Sequence, residues 1–283
     1  MHIKIKKKHY TYSMFTIFPW LCVTILYSPI FYVLYKTRWE MINYTHAYYI
    51  LPLALFITYL KYSHLKKDSK VPETRTIRIV SFLLLTFSLL LFIIGWREEY
   101  LFIQTITLIP LLFSLTTFLY NKRLTRTLIF PFCYLLLLIP IPIGILDNIT
   151  LPMRHIISVL SANILTALNY PITREGLLIT MGNHEIFMGA PCSGFRSLIT
   201  MLSLGLVYIY FNKSKLWKNA LLVFLIIPFS LFGNLIRVLA LCLITYYFGE
   251  EAGKGFFHNF SGFVVFFIMI SCLMLSEKLL NKK

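Results

Sequence analysis

The residue in this sequence best suited to nucleophilic chemistry is Cys192, which lies where the chain enters an apolar stretch of membrane-spanning length. Pro191 suits the first turn of a helix, because its missing N–H costs nothing there. Ser193 and Gly194 are small and would let a substrate backbone approach closely. A helix N-terminus favours the thiolate, and Arg196, about one helical turn further on, would add positive charge. The pattern predicts a reactive thiol, although most buried cysteines simply fill space.

Two further residues of catalytic types occur in the later apolar stretches. Arg237 lies well inside the stretch 219–248, and an arginine placed there is by default a functional-site candidate. Asn234, one helical turn earlier, is expected to orient Arg237. His258 precedes the last stretch, and an imidazole can accept or donate a proton near neutral pH. The alternatives are that the arginine extends its charge to the interface and that the histidine is solvated.

The elements that position these residues are predicted to be membrane helices. The 283 residues are 58% hydrophobic and 13% charged, whereas a soluble domain has about 25% charged residues. Their mean hydropathy is +0.74. We therefore expect an all-α polytopic membrane protein with about eight transmembrane helices, one amphipathic interfacial helix over 152–168 and a short extracytoplasmic β-like loop over 169–190. The predicted spans are 14–35, 42–60, 79–95, 100–120, 127–146, 194–211, 219–248 and 259–277. Pro140 and Pro142 are expected to break 127–146. The stretch 219–248 is longer than a bilayer requires, so it must tilt, protrude or break, with Pro228 and Gly233-Asn234 as candidate break points. Domain boundaries are expected at 1–149, an N-terminal five-helix membrane region, and 150–283, a catalytic membrane region.

The distribution of charge predicts which side of the membrane each loop faces. If 152–168 does not cross the bilayer, one side collects nineteen Lys and Arg residues against three acids, and the other side has eight of each. Such asymmetry marks the basic side as cytoplasmic, so both termini are expected inside a plasma or inner membrane, and nucleic-acid binding is not expected. Counted by helical rise, Cys192, Arg237 and His258 all reach the outer interface. Three chemically capable side chains are thus predicted to meet at one depth.

The remaining cysteines and histidines suggest no second centre. Cys22, Cys133, Cys242 and Cys272 lie inside apolar stretches, so no disulfide framework is expected. No two metal-ligand residues have the spacing of ligands on one helix, and we expect neither a metal nor a cofactor. His184 is a weaker alternative to His258 as the base.

The motifs together resemble those of the exosortase/archaeosortase family. They are Cys192-Ser-Gly-Phe-Arg-Ser-Leu198, then Asn234-Leu-Ile-Arg237, then His258 with Gly262 after it. The motif-bearing part covers about 150–275. The resemblance implies a Cys–His–Arg constellation, and cleavage of exported proteins that end in a short motif, a transmembrane helix and a basic tail. It also implies membrane lipid as the surroundings and a lipid or glycan as a possible acceptor.

Chemistry assigns each residue a role in such a reaction. Cys192 would attack a peptide carbonyl, His258 would take and return the proton, and Arg237 would stabilise the oxyanion. Two other functions are left open by the residues themselves. One is a membrane transferase that acts on lipid-linked sugars, and it would not need Cys192. The other is a transporter or an export partner for polysaccharide, although transporters usually place charge near the midplane of the bilayer.

Overall fold

A computed structural model of the chain describes residues 14–39, 44, 46–65, 74–212, 215–254, 267, 270–272 and 274–280. Most of them are helical, and they form two compact units. The first unit takes in 1–38 and 56–133, and the second takes in 39–55 and 134–283. The predicted division at 149 and 150 into an N-terminal and a catalytic region stays a prediction.

The first unit is built from apolar helices joined by short turns. Tyr27 and Thr107 share a buried hydrogen bond of 2.9 Å between their hydroxyl groups. The helices are α1 (Met14–Leu34), α3 (Arg75–Arg97), α4 (Leu101–Ile106), α5 (Leu108–Leu119) and α6 (Lys122–Thr127), while α2 (Ala47–Leu65) and α7 (Ile129–Tyr134) have residues in both units.

Four helical segments of the described chain are long and apolar enough to cross a membrane. They are Thr16–Trp39, Arg75–Arg97, Leu101–Leu119 and Leu216–Phe248. The predicted spans 42–60, 127–146 and 194–211 correspond to shorter apolar helices, Ala47–Tyr62, Ile129–Leu138 and Phe195–Phe211. Most of 259–277 lies outside the described residues. These segments are consistent with an all-α polytopic membrane protein, and the number eight stays a prediction.

The second unit contains the long helices and a small sheet. After a 3-10 turn at Leu135–Leu138, helix α8 runs over Ile143–Ala167 and leads into strands β1 (Ile172–Glu175), β2 (Leu178–Met181) and β3 (His184–Phe187). The strands form one antiparallel sheet in the order β1-β2-β3. Helices α9 (Phe195–Phe211), α10 (Leu216–Phe248) and α11 (Glu250–Lys254) follow. The predicted β-like loop is thus confirmed, with three strands.

Two predicted helix boundaries in this unit are wrong. Pro140 and Pro142 break the apolar stretch 127–146, as predicted, because they remove two N–H donors and keep 139–142 out of helical geometry. The helical residues before the break end at Leu138 and not at residue 146. The N–H of Ile141 donates instead to the hydroxyl of Tyr44 at 3.0 Å. Helix α8 consequently begins at Ile143 and not at residue 152. Helix α10, in contrast, continues unbroken through Pro228, so 219–248 lies within one helix of 33 residues.

The buried face of α8 combines apolar residues with small polar ones. Its small polar residues Ser158 and Ser161 are fully buried, and Ser158 donates to the carbonyl of Gly176 at 3.2 Å. Two residues of the predicted apolar face, Ile156 and Leu160, are exposed instead. Ile157, from the same predicted apolar face, is buried with the two serines, so the predicted apolar and polar sides are divided between the buried and the exposed face of α8.

A hydrophobic core holds the sheet against both long helices. Ile179 and Met181 alternate along β2 and are fully buried. They pack in one cluster with Ile157 of α8 and Val238 of α10, and Cys192 lies against the same cluster. Burying each such side chain contributes about 1.5–3 kcal/mol. The segment with Cys192 is therefore fixed to a packed core.

Candidate active site

Cys192 lies in a single 3-10 turn, Ala190–Ser193, between β3 and α9. Its N–H donates to the carbonyl of Gly189 at 2.9 Å. The hydroxyl of Ser193 donates to Ala190 at 2.8 Å and accepts from the N–H of Phe195 at 3.2 Å. Helix α9 starts at Phe195, close to the predicted start at 194, and Cys192 lies just before it, where the chain enters the helix. Pro191 does occupy the start of the short turn, as expected.

Helix α10 holds this turn through two side chains on one face. Asn234 is fully buried, and its Nδ2 donates to the carbonyl oxygen of Cys192 at 2.7 Å. Arg237, only 6% exposed, donates from Nη1 to the carbonyl oxygen of Pro191 at 3.3 Å. Asn234 was expected to orient Arg237, but it binds the cysteine's own backbone instead. Both residues of the second motif therefore position the first.

Gly194 allows this close approach for two independent reasons. Its φ of 78° lies in the left-handed region, which favours glycine. A Cβ at this position would also lie 2.9 Å from both Cβ and Cγ of Asn234. The Cys-Ser-Gly motif and the Asn of the second motif are therefore parts of one packing arrangement.

Replacing Gly194 with alanine should destabilise the protein and disrupt the Cys192 turn. The left-handed backbone costs about 1–2 kcal/mol for a residue with a Cβ. The clash with Asn234 adds about 1–3 kcal/mol. In detergent, Gly194→Ala should have a lower thermal unfolding midpoint than Gly176→Ala. Gly176 also has a positive φ, of 60°, but a Cβ added there would have nothing within 4 Å. Equal midpoints for the two variants would show that the contact with Asn234 costs nothing.

Cys192 faces a cavity of about 450 Å³ in the second unit. One side of the cavity is formed by β3 and the segment that follows it, including Gly189 and Pro191. The other side includes Leu241 and Thr245 of α10. Cys192 is itself half-buried, so its thiol is sheltered at the edge of a space large enough for several residues of a peptide.

Burial and two arginines have opposite effects on the Cys192 thiol. Burial raises the pKa of Cys192 above its ordinary value, and the positive charge of Arg237 is the largest effect that opposes the rise. A hydrogen bond from the Gly189 backbone to the thiol and the charge of Arg154 oppose it further. Burial therefore outweighs the effects that favour the thiolate, and the pKa of Cys192 is raised overall. A thiol in this state needs a base to become a nucleophile.

The raised pKa predicts how fast Cys192 is alkylated at different pH values. At neutral pH the thiolate fraction should be lower than for an ordinary cysteine, whose pKa is about 8.5. The alkylation rate with iodoacetamide, followed by mass spectrometry of the Cys192 peptide, should therefore keep rising above that pH. Arg237→Gln should move the midpoint further upward, because it removes an opposing positive charge. A midpoint below that of free cysteine would show that another partner stabilises the thiolate.

Arg154 is a residue of this site that sequence reasoning missed. It lies on α8, which packs against the Cys192 turn, and its side chain is anchored to Thr150 Oγ1 at 3.4 Å and to Asp147 at 3.5 Å. No motif or spacing marks Arg154, because its connection to Cys192 arises only when α8 folds against residues 38 positions later in the sequence. Arg196, on α9, acts electrostatically on Arg237. It therefore contributes to the positive charge of the site only indirectly.

The other predicted site residues fall in different places. His258 and Gly262 lie outside the described residues, so the proposed base stays a prediction. His184 begins β3. Among the described residues there is no group of three or more His, Cys, Asp or Glu side chains that could hold a metal ion.

A comparison with protein families identifies the chain. No curated protein and no solved structure matches it. The family model of the transmembrane exosortases matches residues 39–275, which is most of the chain. This match begins well before the motif-bearing part and takes in α2 to α11. The chain belongs to the transmembrane exosortase family.

Proposed function

We propose that this protein is a membrane-embedded cysteine endopeptidase and transpeptidase. It cleaves C-terminal sorting signals from exported proteins at the outer face of the membrane. Membership of the exosortase family supports a role in protein sorting at a membrane. The observation that carries the proposal is the pair of hydrogen bonds from Asn234 and Arg237 to the Cys192 turn, because they fix a thiol between a permanent positive charge and a peptide-sized cavity.

The reaction starts with proton transfer from the Cys192 thiol to His258. The sulfur then attacks the scissile carbonyl carbon, and the carbonyl oxygen becomes an oxyanion beside the guanidinium of Arg237. Collapse of this intermediate breaks the C–N bond, His258 protonates the departing amine, and a thioester joins the substrate to Cys192. Water, or an amine or hydroxyl of an acceptor, then attacks the thioester and releases the thiol.

The backbone partners of the site suit this sequence of steps. Asn234 binds the carbonyl of Cys192 and Arg237 binds that of Pro191, so neither contact needs the sulfur. The sulfur can therefore change from thiol to thioester while the main chain around it stays in place. Such a preorganised arrangement lowers the barrier because little has to move during the reaction.

The proposal can be tested with a reporter protein that ends in a candidate motif, an apolar helix and a basic tail. Cells that express the reporter with this chain should accumulate a form that has lost the tail, detected by mass. A transferase acting on lipid-linked sugars would leave the reporter intact. Release of an adduct between reporter and chain by hydroxylamine would identify the thioester.

We further propose that the site faces outward, because the loops predicted to lie on its side carry little net charge. A membrane-impermeant maleimide added to intact cells should then modify Cys192. Buried Cys242 on the same core should stay unmodified and serves as the control. Modification of Cys192 only in inverted vesicles would reverse the orientation.

A further inference from the structure

Strand β3 forms one edge of the sheet, and the pattern of the ladder shows which backbone groups lie at that edge. The N–H of Met188 donates to the carbonyl of Leu177 at 2.8 Å, so this opposed pair is hydrogen-bonded. Hydrogen-bonded and non-hydrogen-bonded pairs alternate along an antiparallel ladder. The main-chain groups of Ile186 therefore point toward β2, and those of Glu185 and Phe187 point to the outer edge.

Most of these outer groups have no bonding partner among the described residues. The carbonyl of Phe187 accepts from the N–H of Gly189 at 2.9 Å. The N–H of Phe187 and both main-chain groups of Glu185 stay open in the part of the chain that the structure describes. An edge with unpaired N–H and C=O groups is a template for another strand.

The open edge and Cys192 share one cavity. Glu185, Ile186 and Phe187 line it, and the lining continues through Gly189 and Pro191 to Cys192. The four residues of β3 extend over about 13 Å, so a peptide of about four residues could lie along the strand. A peptide that follows this edge toward the C-terminal end of β3 would reach the thiol.

We propose that the substrate segment preceding the scissile bond binds as a fourth strand along β3, parallel to it, with its last carbonyl at Cys192. The proposal rests on the proposed function. The residues before the scissile bond come from the exported part of the substrate, and those after it lead into its membrane helix. Cys192 lies beyond the C-terminal end of β3, so a segment that lies along β3 and brings its last carbonyl to Cys192 runs in the same direction as β3. Main-chain hydrogen bonds provide affinity in such strand addition, and alternate side chains provide specificity.

The charges of the cavity indicate which side chains the segment carries. Its charged lining residues are Glu185 and Glu250, and the other residues that line it are neutral. Beside Glu185, at the open edge of β3, an acidic substrate side chain would be repelled and a basic one would be attracted. The segment that fits is therefore extended, and apolar or basic rather than acidic.

Disulfide capture can test this pairing without any turnover. The probe is an acetylated peptide of alternating valine and threonine that ends in cysteine, supplied as its mixed disulfide with 2-mercaptoethanol. Cys192 of the purified full chain attacks the peptide sulfur and releases mercaptoethanol. The yield at Cys192 is measured by mass spectrometry and divided by its yield with bis(2-hydroxyethyl) disulfide, which corrects for thiol reactivity.

The peptide backbone provides the first comparison. N-methylation of one alternate set of peptide amides should lower the corrected yield by about tenfold or more, and methylation of the other set should leave it within about twofold. A peptide with its cysteine at the N-terminal end should be captured poorly. Replacing one threonine with lysine should raise capture, and replacing it with glutamate should lower it. Equal yields for both methylated sets, or better capture of the reversed peptide, would overturn the parallel pairing.

Variants of the protein provide the second comparison. Glu185→Pro removes an outer N–H and should lower capture of the valine–threonine peptide about tenfold relative to Glu185→Ala, which loses the same carboxylate but keeps that N–H. Arg174→Pro is the matched control, because Arg174 has the equivalent position on the far edge of the sheet, in β1. Equal capture by the Glu185→Pro and Arg174→Pro variants would overturn the proposal. If Glu185→Pro does not fold, the comparison of the methylated peptides tests the pairing instead. Capture needs only the thiol, so processing that survives Cys192→Ser would overturn the proposed function without affecting this result.

Discussion

Replacing Cys192 with serine should reduce processing of a tailed reporter by about a thousandfold or more, as loss of a catalytic nucleophile does in other enzymes. A serine hydroxyl is nearly as large as the thiol but ionises far less readily. The cavity environment already raises the pKa of the thiol, and burial would disfavour an alkoxide still more. Processing is measured as the fraction of reporter without its tail in membranes that contain equal amounts of each variant.

The same substitution should leave the fold intact. The contacts that hold the turn run from Cys192 N–H to Gly189 and from Asn234 to the Cys192 carbonyl, and serine keeps both groups. Cys133→Ser is the matched control, because Cys133 is exposed and lies outside the site. Unfolding midpoints of the two variants should agree with that of the unaltered protein. Full processing by Cys192→Ser would remove the nucleophile from the proposal.

The ends of the long helices were predictable because composition changes sharply there. Lys213, Lys215 and Lys218 separate α9 from the body of α10, and Gly249 follows the last apolar residue of α10. The start of α8 was not predictable in the same way. Pro140 and Pro142 indicate a break, but hydrophobicity continues across 139–142. The path of the chain there also depends on the hydroxyl of Tyr44, which accepts from the N–H of Ile141. Local pattern cannot show such a contact between residues 97 positions apart.

In the site, too, the sequence predicts which residues take part but not what each of them binds. Cys192, Asn234 and Arg237 could be chosen from their motifs, and the structure brings all three together. The role of Asn234 could not be predicted, since spacing along a helix pairs it with Arg237, whereas folding pairs it with a carbonyl 42 residues away. Arg154 could not be found at all, because nothing in its neighbourhood distinguishes it from a surface arginine.

Replacing Arg237 with lysine should lower processing by about a hundred- to a thousandfold, although the positive charge is kept. Losing one well-placed oxyanion donor costs about 2.7–4 kcal/mol. The guanidinium is a planar fork with several donors, so one N–H can bind the Pro191 carbonyl while others are directed at a substrate oxygen. The lysine ammonium is a single nitrogen on a side chain of different reach, so it cannot bind both the Pro191 carbonyl and the substrate oxygen as the guanidinium does. The rate is measured as kcat/KM for the tailed reporter, and a loss in kcat would place the effect in the transition state.

The alternative for Arg237 is that it only carries its charge to the interface, and this alternative predicts a different result. A side chain in that role buries its stem and keeps its head in water, so lysine should serve as well as arginine. Arg237 is 6% exposed and its Nη1 contacts the turn of Cys192, which is a poor position for reaching water. Arg97→Lys is the matched control, because the Arg97 side chain is 83% exposed and should tolerate the exchange. If Arg237→Lys keeps its kcat/KM within about threefold, as Arg97→Lys is expected to do, the guanidinium makes no contact that is specific to the transition state, and the oxyanion role must pass to another donor.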